Sequence, residues 1–115
     1  MKVYWLAAGL LGALACSSDG DDQAQSGGVC DTAPSFGEVS AFSAVCTSCH
    51  DSSLPYEARN GAPLGYDFDR YETARSEAEE IGEAVEAGYM PPPGYPLSEA
   101  QKAAVLRWVE CGAPE

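Results

Sequence analysis

Five residues in the middle of the chain, Cys46-Thr47-Ser48-Cys49-His50, bring two thiols and an imidazole into one short segment. Cysteines three positions apart on a helical turn project to the same side, so both thiols can add to the two vinyl groups of one porphyrin. The next residue then offers its imidazole to the iron. This C-x-x-C-H spacing is the signature of c-type haem attachment, with histidine as a strong nitrogen ligand. Other chemistries explain less of the pattern. Zinc needs a fourth ligand around the two cysteines and the adjacent histidine, and no second C-x-x-C completes a ribbon. A thioredoxin-like dithiol needs a βαβ setting that this Gly/Pro-rich chain does not show. A plain Cys46–Cys49 disulfide leaves the histidine unexplained.

His50 is the single histidine, so bis-histidine ligation within one chain is excluded. Of the two methionines, Met1 leaves with an N-terminal signal, and Met90 remains as the candidate second axial ligand. It lies in Gly88-Tyr89-Met90-Pro91-Pro92-Pro93-Gly94, where the prolines fix φ and remove backbone donors. Such a loop is stiff enough to hold a thioether against iron without a regular element behind it. Core filling by Met90 and a proline-rich docking peptide are the rival readings. His/Met ligation raises the reduction potential relative to bis-His and suits an electron carrier. Arg59 suits a charge-assisted bond to a haem propionate, or is an ordinary surface arginine. Tyr66, Tyr95 and Trp108 are aromatic candidates for a haem-pocket wall, with core packing as the alternative.

Three helical segments are expected to position these residues, with no strand-like alternation and no internal repeat. Phe36, Val39, Phe42 and Val45 or Cys46 fall at helical spacing over about Phe36 to His50. A second helix is expected over Asp69 to Ala87, where Tyr71, Ala74, Ala78, Ile81 and Val85 form an apolar stripe. Gly88 is placed to end it, and Gly82 weakens its middle. The third starts at Ser98, which with Gln101 makes a capping-box pattern, presents Val105, Trp108 and Val109, and stops at Gly112 and Pro114. Long Gly/Pro-rich loops, Asp51 to Tyr66 and Tyr89 to Leu97, need something to pack on, and a large buried cofactor would supply it.

The chain has 115 residues, room for one domain, with six Lys+Arg against eighteen Asp+Glu. So acidic a chain makes nucleic acid and anionic lipid poor partners and a basic-surfaced redox protein a plausible one. Residues 1–15 read as an export signal, in which Lys2 precedes an apolar run of thirteen residues, Val3 to Ala15. A helix needs about twenty apolar residues to cross a bilayer, so this run is short for a span. Ala13-Leu14-Ala15-Cys16 resembles the lipobox of bacterial lipoproteins, which implies cleavage before Cys16 and lipidation of its thiol. Residues 16–29 then form a flexible acidic, Gly- and Ser-containing tether, and 30–115 the domain. The expected location is the periplasmic face of a bacterial membrane, with soluble periplasmic or secreted protein as the alternative.

The order of first helix, C-x-x-C-H, Gly/Pro loop, middle helix, Met loop and aromatic-bearing last helix resembles the class I cytochrome c family over residues 30–115. The resemblance implies an all-α bundle of three to four helices around one covalently bound haem c. It also implies that the first and last helices cross with Phe42 and Trp108 at the crossing. In that family the region of a proline after the histidine braces the imidazole through a backbone carbonyl, a place that Pro63 fits approximately. No glycine precedes Pro63, a departure from the pattern. With Cys16 lipidated and Cys46 and Cys49 in thioethers, Cys30 and Cys111 remain. At the outer ends of crossing helices they would form a disulfide in an oxidising compartment, contributing about 3–5 kcal/mol in the chain-entropy model.

The expected function is electron transfer between redox proteins by a monomer that is not an enzyme. No nucleophile–base pair is apparent, and His50 is committed to iron. Alternatives are a haem-based sensor or small-ligand binder, a haem subunit of a larger membrane-associated oxidase or dehydrogenase, and a non-haem lipoprotein.

Overall fold

The computed structural model describes residues 28–115. The export signal, Cys16 and most of the tether lie outside the described residues. Among those residues all regular structure is helical, with no strand. None of these helices is long and apolar enough to cross a membrane.

The expected first helix, Phe36 to His50, is divided into three pieces. A 3-10 turn Phe36–Glu38 leads into α1, Ser40–Ala44, and a second 3-10 turn covers Cys46–Ser48. The seams are Val39 (φ −79°, ψ 85°) and Val45 (φ −127°, ψ −56°). Both are β-branched residues, which lose side-chain freedom in a helix and leave it at little cost. The departure at Val39 lets its side chain, 1% exposed, enter the core beside Phe42.

The expected middle helix is divided as well. Glu77 (φ −102°, ψ 12°) separates α2, Tyr71–Ser76, from α3, Ala78–Ala87. Ser76 Oγ donates to the Thr73 carbonyl at 2.8 Å, while Glu77 N–H uses the same acceptor at 3.2 Å. A side chain competing for a backbone acceptor is a common cause of such a break. Ala74 before the bend and Ile81 and Val85 after it all reach the core. Gly88 ends α3 in the left-handed region (φ 81°), as expected from its type.

The last helix, α4, spans Glu99–Glu110 and begins as its capping box requires. Gln101 N–H donates to Ser98 Oγ at 3.1 Å, and Ser98 N–H donates to Gln101 Oε1 at 3.0 Å. Its buried face carries Val105 and Trp108, both with no exposed surface. Trp108 meets Phe42 of α1 edge-to-face, ring centroids 5.0 Å apart at 76°, and Phe36 lies 6.2 Å away. The indole N–H donates to the Pro114 carbonyl at 2.7 Å, and Phe36 N–H shares that acceptor at 3.0 Å. The C-terminal tail thus closes over the N-terminal end of the fold. Cys30 and Cys111 form a disulfide there, with Cα atoms 5.4 Å apart.

Helix α3 packs against α4 on another side. A Cβ built on Gly82 would stand 3.0 Å from Val109 Cγ1. The glycine that weakens α3 as a helix is therefore what allows this close approach.

Candidate functional site

The Cys46–Ser48 turn sets the thiols. In a 3-10 turn residues three apart are eclipsed, so Cys46 and Cys49 share a side although they do not stand on an α-helix. His50 N–H closes the segment on the Cys46 carbonyl at 2.9 Å. Both thiols are half-buried and unpaired, neither bonded to the other nor to the Cys30–Cys111 bridge. Burial pushes the Cys46 thiol up to about 11, its backbone hydrogen bond offsetting this only in part. A thiol so protonated at neutral pH is unlike the activated cysteine of a dithiol oxidoreductase.

These residues border a cavity of about 300 Å³ with mainly apolar walls. Cys46, Cys49 and His50 line one part of it, Ile81, Ala84 and Val85 of α3 another, and Met90, Tyr95 and Leu97 a third. Met90 reaches this place because its N–H and that of Tyr89 both bond to the Ala84 carbonyl, at 3.1 and 2.9 Å. Its side chain is 42% exposed, so it occupies the rim rather than the interior.

The imidazole is held on two sides. Its ring stacks on Phe68, with centroids 4.4 Å apart and planes inclined by 20°. His50 Nδ1 lies 2.9 Å from the Tyr66 carbonyl oxygen. A carbonyl only accepts, so Nδ1 carries the proton and Nε2 keeps its lone pair, the tautomer that a metal ligand needs. Burial of the ring lowers its basicity, with the nearby Arg59 charge adding to the effect; the Tyr66 bond and Asp67 act against it.

One expectation is sharpened here and another changes. The carbonyl bracing His50 is that of Tyr66, three residues beyond Pro63, while the Pro63 carbonyl itself accepts from Arg59 Nη2 at 2.9 Å. Arg59 is not a surface arginine, being 1% exposed. Besides Pro63, its guanidinium bonds to the carbonyls of Ala62 (3.2 Å), Asp51 (2.6 Å) and Tyr66 (3.1 Å). Asp67 Oδ1 lies 2.8 Å from Nη2 but out of line for a hydrogen bond, an ion pair without a directed proton. These bonds occupy much of the fork expected to meet a propionate, although Arg59 still borders the cavity.

The Gly-rich segment between His50 and Phe68 is thus packed on its own arginine. Phe68 N–H donates to the His50 carbonyl at 2.7 Å, and Ser52 is clipped to Asp69 through its N–H (2.9 Å) and hydroxyl (2.7 Å). A loop closed at the neck and filled by its own side chain is a compact Ω-type loop, a common carrier of functional groups.

Trp108 lies in the α1–α4 crossing and does not line the cavity, because its indole is enclosed by Phe42 and Phe36 and bonded to Pro114. Cys46, Cys49, His50, Arg59, Pro63, Tyr66, Met90 and Tyr95 do border it. Phe68 and Asp67 carry no sequence motif that marks them; only the folded loop brings them to His50 and Arg59.

No family model, curated protein or solved structure matches this chain. Among the described residues no three His, Cys, Asp or Glu side chains converge as a metal-ion site. The donor set around the cavity is therefore read by its own chemistry. Two free thiols, an imidazole with Nε2 available and a thioether fit a covalently anchored haem whose iron takes the imidazole and the thioether, whereas no Cys, His or carboxylate set converges here as a structural zinc centre requires.

Proposed function

We propose that the chain is an exported monohaem c-type cytochrome that passes single electrons between redox proteins. The observation carrying this reading is that Cys46, Cys49, His50 and Met90 border one apolar cavity while both thiols remain unpaired. Cys46 and Cys49 would hold the haem through thioethers, and His50 Nε2 and Met90 Sδ would bind its iron. A bound haem would supply a reversible one-electron couple. The protein's residues do the rest. Tyr66 keeps the proton on Nδ1, Phe68 fixes the ring plane, and Ile81, Ala84 and Val85 exclude water.

Export agrees with the apolar N-terminal segment ending at Cys16 and with the Cys30–Cys111 disulfide, a bond that persists in oxidising compartments. We propose lipid anchoring through Cys16 and association with basic redox partners on the same footing, the latter from the net charge of −12. The deciding experiment is a pyridine haemochrome assay on protein made with a cytochrome c maturation system. One covalent haem per chain is expected, lost in Cys46→Ser/Cys49→Ser; its absence from the wild-type chain refutes the reading.

A second reading is favoured by the exposure of Met90 at the rim. If the thioether leaves iron readily, the same site binds a small ligand and acts as a sensor. Carbon monoxide uptake by the reduced protein separates the two, since a carrier with Met90 firmly bound stays low-spin and takes up little.

A further inference from the structure

The Tyr66 carbonyl oxygen has two donors. It accepts from His50 Nδ1 at 2.9 Å and from Arg59 Nη2 at 3.1 Å. The imidazole bracing the site therefore shares its acceptor with a guanidinium that is buried, paired with Asp67 and fixed by three other carbonyls. A carbonyl oxygen has two lone pairs, so both bonds form together, but a cation on one lone pair draws density away from the other. The outer hydrogen bond of a ligating histidine sets ring orientation and ligand basicity.

We propose that Arg59 is a positioning residue for His50, acting through the Tyr66 carbonyl to restrain the donor strength of the imidazole toward iron. This rests on the haem reading above. A weaker nitrogen donor, with a positive charge beside it, stabilises the reduced form of the bound group relative to the oxidised form. Asp67 opposes that charge, so the pair acts as a two-residue setting for the potential. Neither Arg59 nor Asp67 belongs to the C-x-x-C-H motif, and haem content is read in every variant so that a lost haem is distinguished from a shifted potential.

The test uses full-length protein matured with haem, as wild type, Arg59→Gln, Arg59→Lys and Asp67→Asn. Haem content is read by pyridine haemochrome and the midpoint potential by redox titration. Arg59→Gln is expected to lower the potential, Asp67→Asn to raise it, and Arg59→Lys to fall between wild type and Arg59→Gln. Simple loosening of the loop would move both sites in the same direction, so opposite signs support the proposal. Equal potentials for wild type and Arg59→Gln, or shifts of one sign in both, overturn it. Should Arg59→Gln fail to fold, Arg59→Lys decides: a potential below wild type supports the role, and an unchanged one overturns it. Should the wild-type chain carry no haem, the haem reading fails and the positioning role is decided separately by ¹⁵N NMR of the His50 ring. The Nδ1–H tautomer is expected in every variant, with the Nδ1 proton resonance moved downfield in Arg59→Gln as the Tyr66 carbonyl loses the guanidinium, and an unmoved resonance overturns the role.

Discussion

At the scale of residues, the site combines groups whose protonation states are set by burial and by backbone acceptors. Cys46 is the clearest case, its thiol pushed up to about 11. Its folded state disfavours the thiolate, so alkylation of the haem-free protein by iodoacetamide at pH 8 should run about a hundredfold slower at Cys46 than in the denatured chain. Peptide mass spectrometry over time would measure this, and equal rates in both states would contradict the burial. Met90 has a separate signature once haem is bound. Met90→Ala should abolish the sulfur-to-iron charge-transfer band of the oxidised protein and lower the potential, because thioether ligation favours reduced iron. An unchanged spectrum removes Met90 from the site. Neither the motif nor the spacing of residues contains the Tyr66 carbonyl, since every residue has one and only folding selects which is used.

At the scale of elements, propensity and packing disagree in an informative way. Gly82 costs α3 about 1 kcal/mol of helix propensity relative to alanine, yet a Cβ there would press on Val109 at 3.0 Å. Gly82→Ala alone should therefore change stability by less than about 1 kcal/mol, as the helix gain and the overpacking cost oppose each other. In a Val109→Ala background the clash is removed, and Gly82→Ala should then stabilise by about 1 kcal/mol. Urea unfolding of the four proteins closes the cycle, and strict additivity would show that the α3–α4 approach is not what selects glycine. The interrupted first and middle helices teach the same lesson. Val39, Val45 and Glu77 sit within stretches of good helical periodicity, but core entry of Val39 and the competing Ser76 hydroxyl accompany the breaks at Val39 and Glu77.

At the scale of the whole molecule, the ends of the domain are drawn together. The Cys30–Cys111 bond spans 81 positions and lies beside the Trp108–Pro114 and Phe36–Pro114 hydrogen bonds. Closing a loop of that length removes unfolded-state entropy equivalent to about 4–5 kcal/mol. Cys30→Ser/Cys111→Ser should lose about 3–5 kcal/mol of stability by urea unfolding. A loss below about 1 kcal/mol would show that the tail contacts hold the ends together without the bridge. The net charge of −12 belongs to this scale as well. The proposed association with a basic redox partner should slow steeply as salt is added, because salt screens attraction over distances beyond the Debye length.

Helical class, the α4 boundaries and the Gly88 stop were readable from residue types, because caps and periodicity are local signals; the Cys30–Cys111 bond was decided by the fold, which brings the two ends of the domain together. The C-x-x-C-H motif named its candidate chemistry for the same reason, as five adjacent residues hold most of what it needs. Tertiary structure alone decided which carbonyl near Pro63 braces the imidazole, that of Tyr66, and that Arg59 fills its own loop. It also kept Trp108, at the helix crossing that the family resemblance implies, out of the cavity wall. Each of these depends on which carbonyl or ring lies within a few ångströms after the loop from Asp51 to Asp67 has closed. Such proximity is a property of the whole path of the chain, and no residue type encodes it.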